Sequence, residues 1–216
     1  MVGGAFRVGL TGGIASGKST VRRLLAAAGF ETVDADQLVA DLYRPGEAGA
    51  AAVKELFGEA YLTDEGAVDH QALAALVFAA DDTRKKLEEA IHPLVRRRFA
   101  EMATAAAASQ PGAVVVLEAS LLVEAGYAPD FHLVVTVEAR KEVRIARAVA
   151  RGASESEALS RLEAQGDGEL RRSHADRVLR NDGDLGALEG QVDELVDEIR
   201  RLAYERRANK ASSEEE

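Results

Sequence analysis

Gly12-Gly13-Ile14-Ala15-Ser16-Gly17-Lys18-Ser19 decides the reading of this chain, because it follows the spacing G-x-x-x-x-G-K-[ST]. Ala5-Phe6-Arg7-Val8-Gly9-Leu10 precedes it as a short apolar strand. Val21, Leu24, Leu25 and Ala28 follow at i, i+3, i+4 and i+7, one face of a helix. The motif therefore sits between a strand and a helix. Glycines there let the backbone curl until successive N–H groups point into one concavity, and the start of the helix adds the positive end of its dipole. A polyphosphate fits such a place. Lys18 would reach the β- and γ-phosphates, and the Ser19 hydroxyl would hold Mg²⁺.

Outward from the loop, the pattern is α/β. Gly29 stops the first helix, and a short second strand ends at Asp34-Ala35-Asp36. Carboxylates just past a strand's C-terminal end lie where open parallel sheets bind ligands. One Asp can cap the next helix while the other serves as base or metal organiser. Residues 37–110 read as helices, with Pro93 expected to kink or restart the longest, and His92 stands just before that break. Ala113-Val114-Val115-Val116-Leu117-Glu118 is a continuous apolar run ending in an acid, which suits a central parallel strand and a second magnesium-organising carboxylate. Glu124 lies near the same edge. Phe131 to Val137 is a further buried strand. Arg144, Arg147 and Arg151 fall at i, i+3 and i+7 and share a helix face, which suits either a lid closing over phosphates or an ordinary charged helix. Asp176 to Asn181 is a last short strand. An amphipathic helix runs from Leu185 to Leu202, and residues 207–216 read as a disordered tail.

Composition narrows the class. The 216 residues include no cysteine, so disulfides and cysteine-bound zinc are excluded, which fits a reducing cytoplasm. No stretch approaches the length needed to cross a bilayer, and no charged-then-apolar leader precedes the first strand. A net charge of −10 argues against gripping long nucleic acid through its phosphates.

Several segments together resemble the dephospho-CoA kinases. Gly9 to Thr20 is similar to that family's G-L-T-G-G-I-G-S-G-K-S-T, with Ala15 where glycine is usual. Asp34-Ala35-Asp36 resembles its D-A-D, Ile91-His92-Pro93 its I-H-P, Leu121-Leu122-Val123-Glu124 its P-L-L-F-E, and Ala175 to Gly183 its A-D-x-V-I-x-N-x-G. Glu118-Ala119-Ser120 departs from the usual D-V-P. The resemblance implies a nucleoside-monophosphate-kinase-like three-layer fold: a central parallel five-stranded sheet with helices on both faces, in one kinase unit over residues 1–206. Its core would be about 5–36, 111–140 and 175–206, with a helical CoA-side insertion at about 37–110 and a lid at about 141–174. It implies ATP-dependent phosphorylation of the ribose 3′-hydroxyl of dephospho-CoA, with another small-molecule or nucleoside monophosphate kinase as the alternative. Gly12, Gly13, Ile14, Ala15, Ser16, Gly17, Lys18, Ser19 and Thr20 would cradle ATP, with Asn181 near the adenine. Asp36 would address the acceptor hydroxyl, with His92 and Leu121 on the acceptor side. Lys18, Arg147 and Arg151 would neutralise charge, and Ser19 and Glu118 would serve Mg²⁺. The expected partners are small molecules, with no nucleic acid and no membrane, in a cytoplasmic monomer or small homo-oligomer.

Overall fold

The structure is a computed structural model that describes residues 4–214. Five strands form one sheet: β1 (Phe6–Gly12), β2 (Glu31–Asp34), β3 (Val114–Glu118), β4 (Leu133–Glu138) and β5 (Arg177–Arg180), in the order β2-β3-β1-β4-β5. β1 is central and runs parallel to β3 and β4, and β4 runs parallel to β5. Every residue of β3 and β4 is buried, as expected of parallel strands covered on both faces.

The helices are α1 (Lys18–Ala27), α2 (Ala35–Leu42), α3 (Ala48–Phe57), α4 (His70–Ala79), α5 (Asp81–Ser109), α6 (Lys141–Ala150), α7 (Glu155–Ala164), α8 (Glu169–His174) and α9 (Leu185–Glu214). On one face of the sheet, Val8, Leu10, Val116, Val135 and Val137 pack with Val21 and Leu25 of α1 and with Leu188, Val192, Leu195 and Ile199 of α9. Each such side chain fully buried contributes about 1.5–3 kcal/mol, so the two long apolar stripes fix both helices to the strands. Val134 on the other face packs with Leu122, Val123 and Tyr127 from the turns after β3.

The chain forms two compact units. One comprises the residues up to Val33 together with those from Ala103 onward, and the other is Asp34–Met102. The second holds α2, α3, α4 and most of α5. Inside it Leu42, Val53, Val68, Leu73 and Phe99 are buried. The buried Tyr43 ring lies 5.6 Å from His70, and desolvation pushes its hydroxyl pKa up to about 12. The three helices between β4 and β5, expected to form a lid, group with the sheet unit.

α5 does not restart at Pro93 but runs unbroken across it. Proline removes one main-chain donor, and the turns around it are held by the buried Ile91, Val95 and Phe99. The tail from 207 is also not disordered over the described residues, because α9 continues to Glu214. Propagating an existing helix needs no new nucleus, and Arg206, Arg207 and Ala208 are good helix formers. Residues 215 and 216 of that tail lie outside the described residues.

Candidate active site

The phosphate loop joins β1 to α1. Its curl rests on left-handed backbone at three places: Gly12 (φ 149°), Ala15 (φ 55°) and Gly17 (φ 106°). Gly17 has a second constraint. A Cβ there would stand 2.0 Å from the Asn181 amide nitrogen, so no side chain fits. Ala15 is the one non-glycine residue with positive φ among the described residues. Its methyl is buried with Ala148 of α6 and Ala158 of α7. The buried Lys18 ammonium donates to the carbonyls of Gly12 (3.0 Å) and Gly13 (3.2 Å). The Ser16 hydroxyl is 1% exposed and has no hydrogen-bond partner in the structure. Such an orphan inside a loop of convergent donors suits a polar ligand. Ser19 is exposed one residue beyond Lys18, and Thr20 is half-buried and accepts from Arg23.

The arginine face of α6 comes down on this loop, in part. Arg144 Nε donates to the Ile14 carbonyl at 2.8 Å, and its guanidinium fills the space that a Cβ at Gly13 would need. Burial and the neighbouring Arg171 lower the Arg144 pKa, and Glu138 opposes them. Arg147 donates to the Ser16 carbonyl (3.4 Å) and to Asn181 Oδ1 (3.2 Å). Asn181 in turn donates to the Ser16 carbonyl at 2.7 Å. Arg151 caps the far end of α6, is exposed, and reaches none of these groups. Sequence reasoning assigns the phosphate role to Arg147 and Arg151 and passes over Arg144, although all three share one stripe. It also passes over Gln165, whose side-chain oxygen accepts from the Ile14 N–H at 2.6 Å.

Behind the loop, Arg171 of α8 is 1% exposed. It donates to Glu124 at 2.7 Å and lies 3.8 Å from Glu138, whose carboxylate also accepts from Thr136. Beside the N-terminus of α6 opens a cavity of about 430 Å³, lined by Arg140, Lys141, Arg144, Arg172 and Arg180 against Glu138, Glu163 and Asp167. Basic groups outnumber acids there.

Glu118 ends β3 as expected, but its carboxylate accepts from Arg22 Nε of α1 at 2.6 Å. Among the described residues no cluster of three His, Asp or Glu could hold a metal. Leu121 is 45% exposed in the turn after β3.

In the other unit, Asp34 caps α2. Its side chain accepts from the Asp36 N–H at 3.0 Å, which leaves the Asp36 carboxylate in the exposed first turn, where the helix dipole favours negative charge. His92 lies on α5, half-buried. Desolvation lowers its pKa, and Glu88 partly offsets that.

A parallel sheet in this order, with the glycine-rich loop between β1 and α1, defines a phosphate-loop kinase fold. The dephospho-CoA kinase family model matches residues 6–186. A dephospho-CoA kinase from Streptomyces avermitilis is 42% identical over 92% of this chain and 96% of its own length. A solved structure from Thermus thermophilus superposes with a TM-score of 0.74 at 37% identity, covering 90% of this chain and 97% of that one. A dephospho-CoA kinase structure from Campylobacter jejuni shares the fold, with a TM-score of 0.69 at 24% identity over 91% and 98% of the two chains. The chain belongs to the dephospho-CoA kinase family.

Proposed function

We propose that the protein transfers the γ-phosphoryl group of ATP to the ribose 3′-hydroxyl of dephospho-CoA, giving coenzyme A and ADP, the last step of coenzyme A synthesis. The observation that carries the donor half is the loop itself: curled backbone, a buried Lys18, and an unpartnered Ser16 hydroxyl within it. The acceptor half is supported by the family match over residues 6–186.

Gly12 to Thr20 would cradle the β- and γ-phosphates, with the Lys18 ammonium turning from the Gly12 and Gly13 carbonyls to phosphate oxygens. Asn181 and the basic cavity beside α6 would take the rest of the nucleotide. Arg147 would neutralise charge on the transferring group, and Arg151, on the same face, would join it on movement of α6. Ser19 is the protein oxygen that suits Mg²⁺, an ion that keeps waters and substrate phosphates as its other ligands. Glu118, held by Arg22, would act on the ion through water rather than directly. When bound, the ion would draw charge from the phosphates and help hold them in line. On the acceptor side, with Leu121 and His92, Asp36 would accept the 3′-hydroxyl proton as the new P–O bond forms and the bond to ADP breaks. In this reading the enzyme works in the cytoplasm on small molecules, as a monomer or small homo-oligomer, and does not bind long nucleic acid. No helix among the described residues is long and apolar enough to cross a membrane.

The test is ADP release with MgATP and dephospho-CoA, AMP, CMP, shikimate or no acceptor. Turnover should depend on dephospho-CoA, and turnover with another acceptor alone would overturn the assignment. Asp36→Asn should lower kcat by roughly 10²–10⁴ with little change in ATP affinity. An equal loss of ATP affinity would make Asp36 a structural residue or a metal ligand instead.

A further inference from the structure

Two donors of the kind that anions seek converge on one neutral oxygen. The Ile14 N–H, inside the phosphate loop, donates to Gln165 Oε1 at 2.6 Å. Arg144 Nη2 donates to the same oxygen at 3.2 Å. The guanidinium is anchored independently, through its Nε on the Ile14 carbonyl at 2.8 Å, and Arg144 is only 7% exposed. Gln165 is the C-cap of α7, so its side chain enters the loop from the segment between β4 and β5 rather than from the loop's own neighbourhood.

A loop of this kind curls so that its N–H groups face a polyphosphate. Here one of those N–H groups is taken by an amide carbonyl, and an arginine shares it. A phosphoryl oxygen is the better acceptor for both donors, because its charge makes the bond from the neutral Ile14 N–H about twice as strong and adds direct attraction to the guanidinium. We infer that Gln165 is a positioning residue that stands in for a phosphoryl oxygen. The nucleotide displaces its side chain from Ile14 and Arg144, and that displacement releases the C-terminal end of α7 from the loop. Nucleotide binding and the position of this helix are thereby linked, since the ligand binds only the released arrangement. Arg144 need not move, because its anchor on the Ile14 carbonyl is separate and only its second partner changes. The inference rests on the loop being the phosphate site of ATP.

Opposite effects from two substitutions test it. In Gln165→Glu a carboxylate competes with the nucleotide for the same donors. In Gln165→Met the competing oxygen is gone while the length of the side chain is kept. MgATP affinity without acceptor is measured by calorimetry on the full chain, with the thermal midpoint of each variant as a check on folding. Gln165→Glu should weaken ATP binding about tenfold or more, and Gln165→Met should tighten it about three- to tenfold. A residue that merely supports the fold would move both variants the same way. Shifts in the same direction, or a change under about twofold in either variant, overturn the placeholder role. If the wild-type chain does not bind MgATP, the phosphate-site reading itself falls, and the placeholder with it.

Discussion

At Ala15 two small energies of opposite sign meet. A left-handed backbone costs an L-residue roughly 1–2 kcal/mol, and Ala15 holds φ 55°. Its methyl is buried against Ala148, Ala158 and the partly buried Ile145 and Ala153, and burying one such group returns about 0.8 kcal/mol. Glycine would relieve the strain, remove the methyl from this cluster and add backbone freedom to the unfolded chain. Ala15→Gly should therefore shift unfolding free energy by no more than about 1 kcal/mol in either direction, read from chemical denaturation. Because the methyl ties the loop to α6 and α7, amide exchange in those two helices should speed up in this variant while the strands keep their protection. Unchanged exchange there would mean that the methyl does not hold the helices to the loop.

The α6 face shows how far an element can be read before its surroundings are known. The period of Arg144, Arg147 and Arg151 is visible in the chain, and the structure puts all three on one helix or its C-cap. Which of them meets the loop depends on where the loop's carbonyls lie, and this is a tertiary fact. Arg144 and Arg147 find the Ile14 and Ser16 carbonyls, whereas Arg151 is the exposed C-cap residue of the helix. Arg147→Met should weaken binding of a non-hydrolysable ATP analogue about tenfold by fluorescence titration, with no acceptor present, and Arg151→Met should change it less than about twofold. Equal losses would show that α6 moves far enough to bring Arg151 in before the acceptor binds, rather than only when both substrates are present. The same limit explains the other gaps. The strand–loop–helix at residues 6–27, the apolar runs of β3 and β4 and the Asp34 cap follow from local pattern and period. Gln165 does not stand out, because nothing within α7 signals that its side chain crosses to Ile14, 151 residues earlier. Glu118 is legible as a strand-ending acid, but its partner Arg22 sits one turn into a different element. The end of α9 escapes a local reading because polar composition suggests disorder, whereas helix propagation is driven by the packed turns upstream.

For the whole molecule, the response to acid can be argued from one ring at the start of β4. His132 Nδ1 accepts the main-chain N–H of Arg7 in β1 at 2.8 Å, and the ring lies 5.1 Å from Phe6. Burial, then the charges of Arg206 and Arg7, lower its pKa from 6.5 to about 4. A neutral imidazole is thus built into the joint between two central strands, next to cations that resist its protonation. As pH falls below 6.5, the unfolded chain takes up this proton and the folded chain does not. Stability is therefore complete above that pH and is lost progressively as pH falls toward about 4. With allowance for solvent around a half-buried ring, the loss is about 1–2 kcal/mol. It adds to the general acid sensitivity of a chain with 37 carboxylate side chains. The two contributions separate by substitution. His132→Gln keeps an acceptor for the Arg7 N–H and removes the titration. At pH 7.5 the variant should be less stable than wild type, because it loses the ring packing on Phe6. Between pH 6.5 and 4.5 its unfolding free energy should fall less steeply than that of wild type, so the two curves converge. Parallel curves through that window would show that the proton is taken up elsewhere and that the joint between β1 and β4 is indifferent to it.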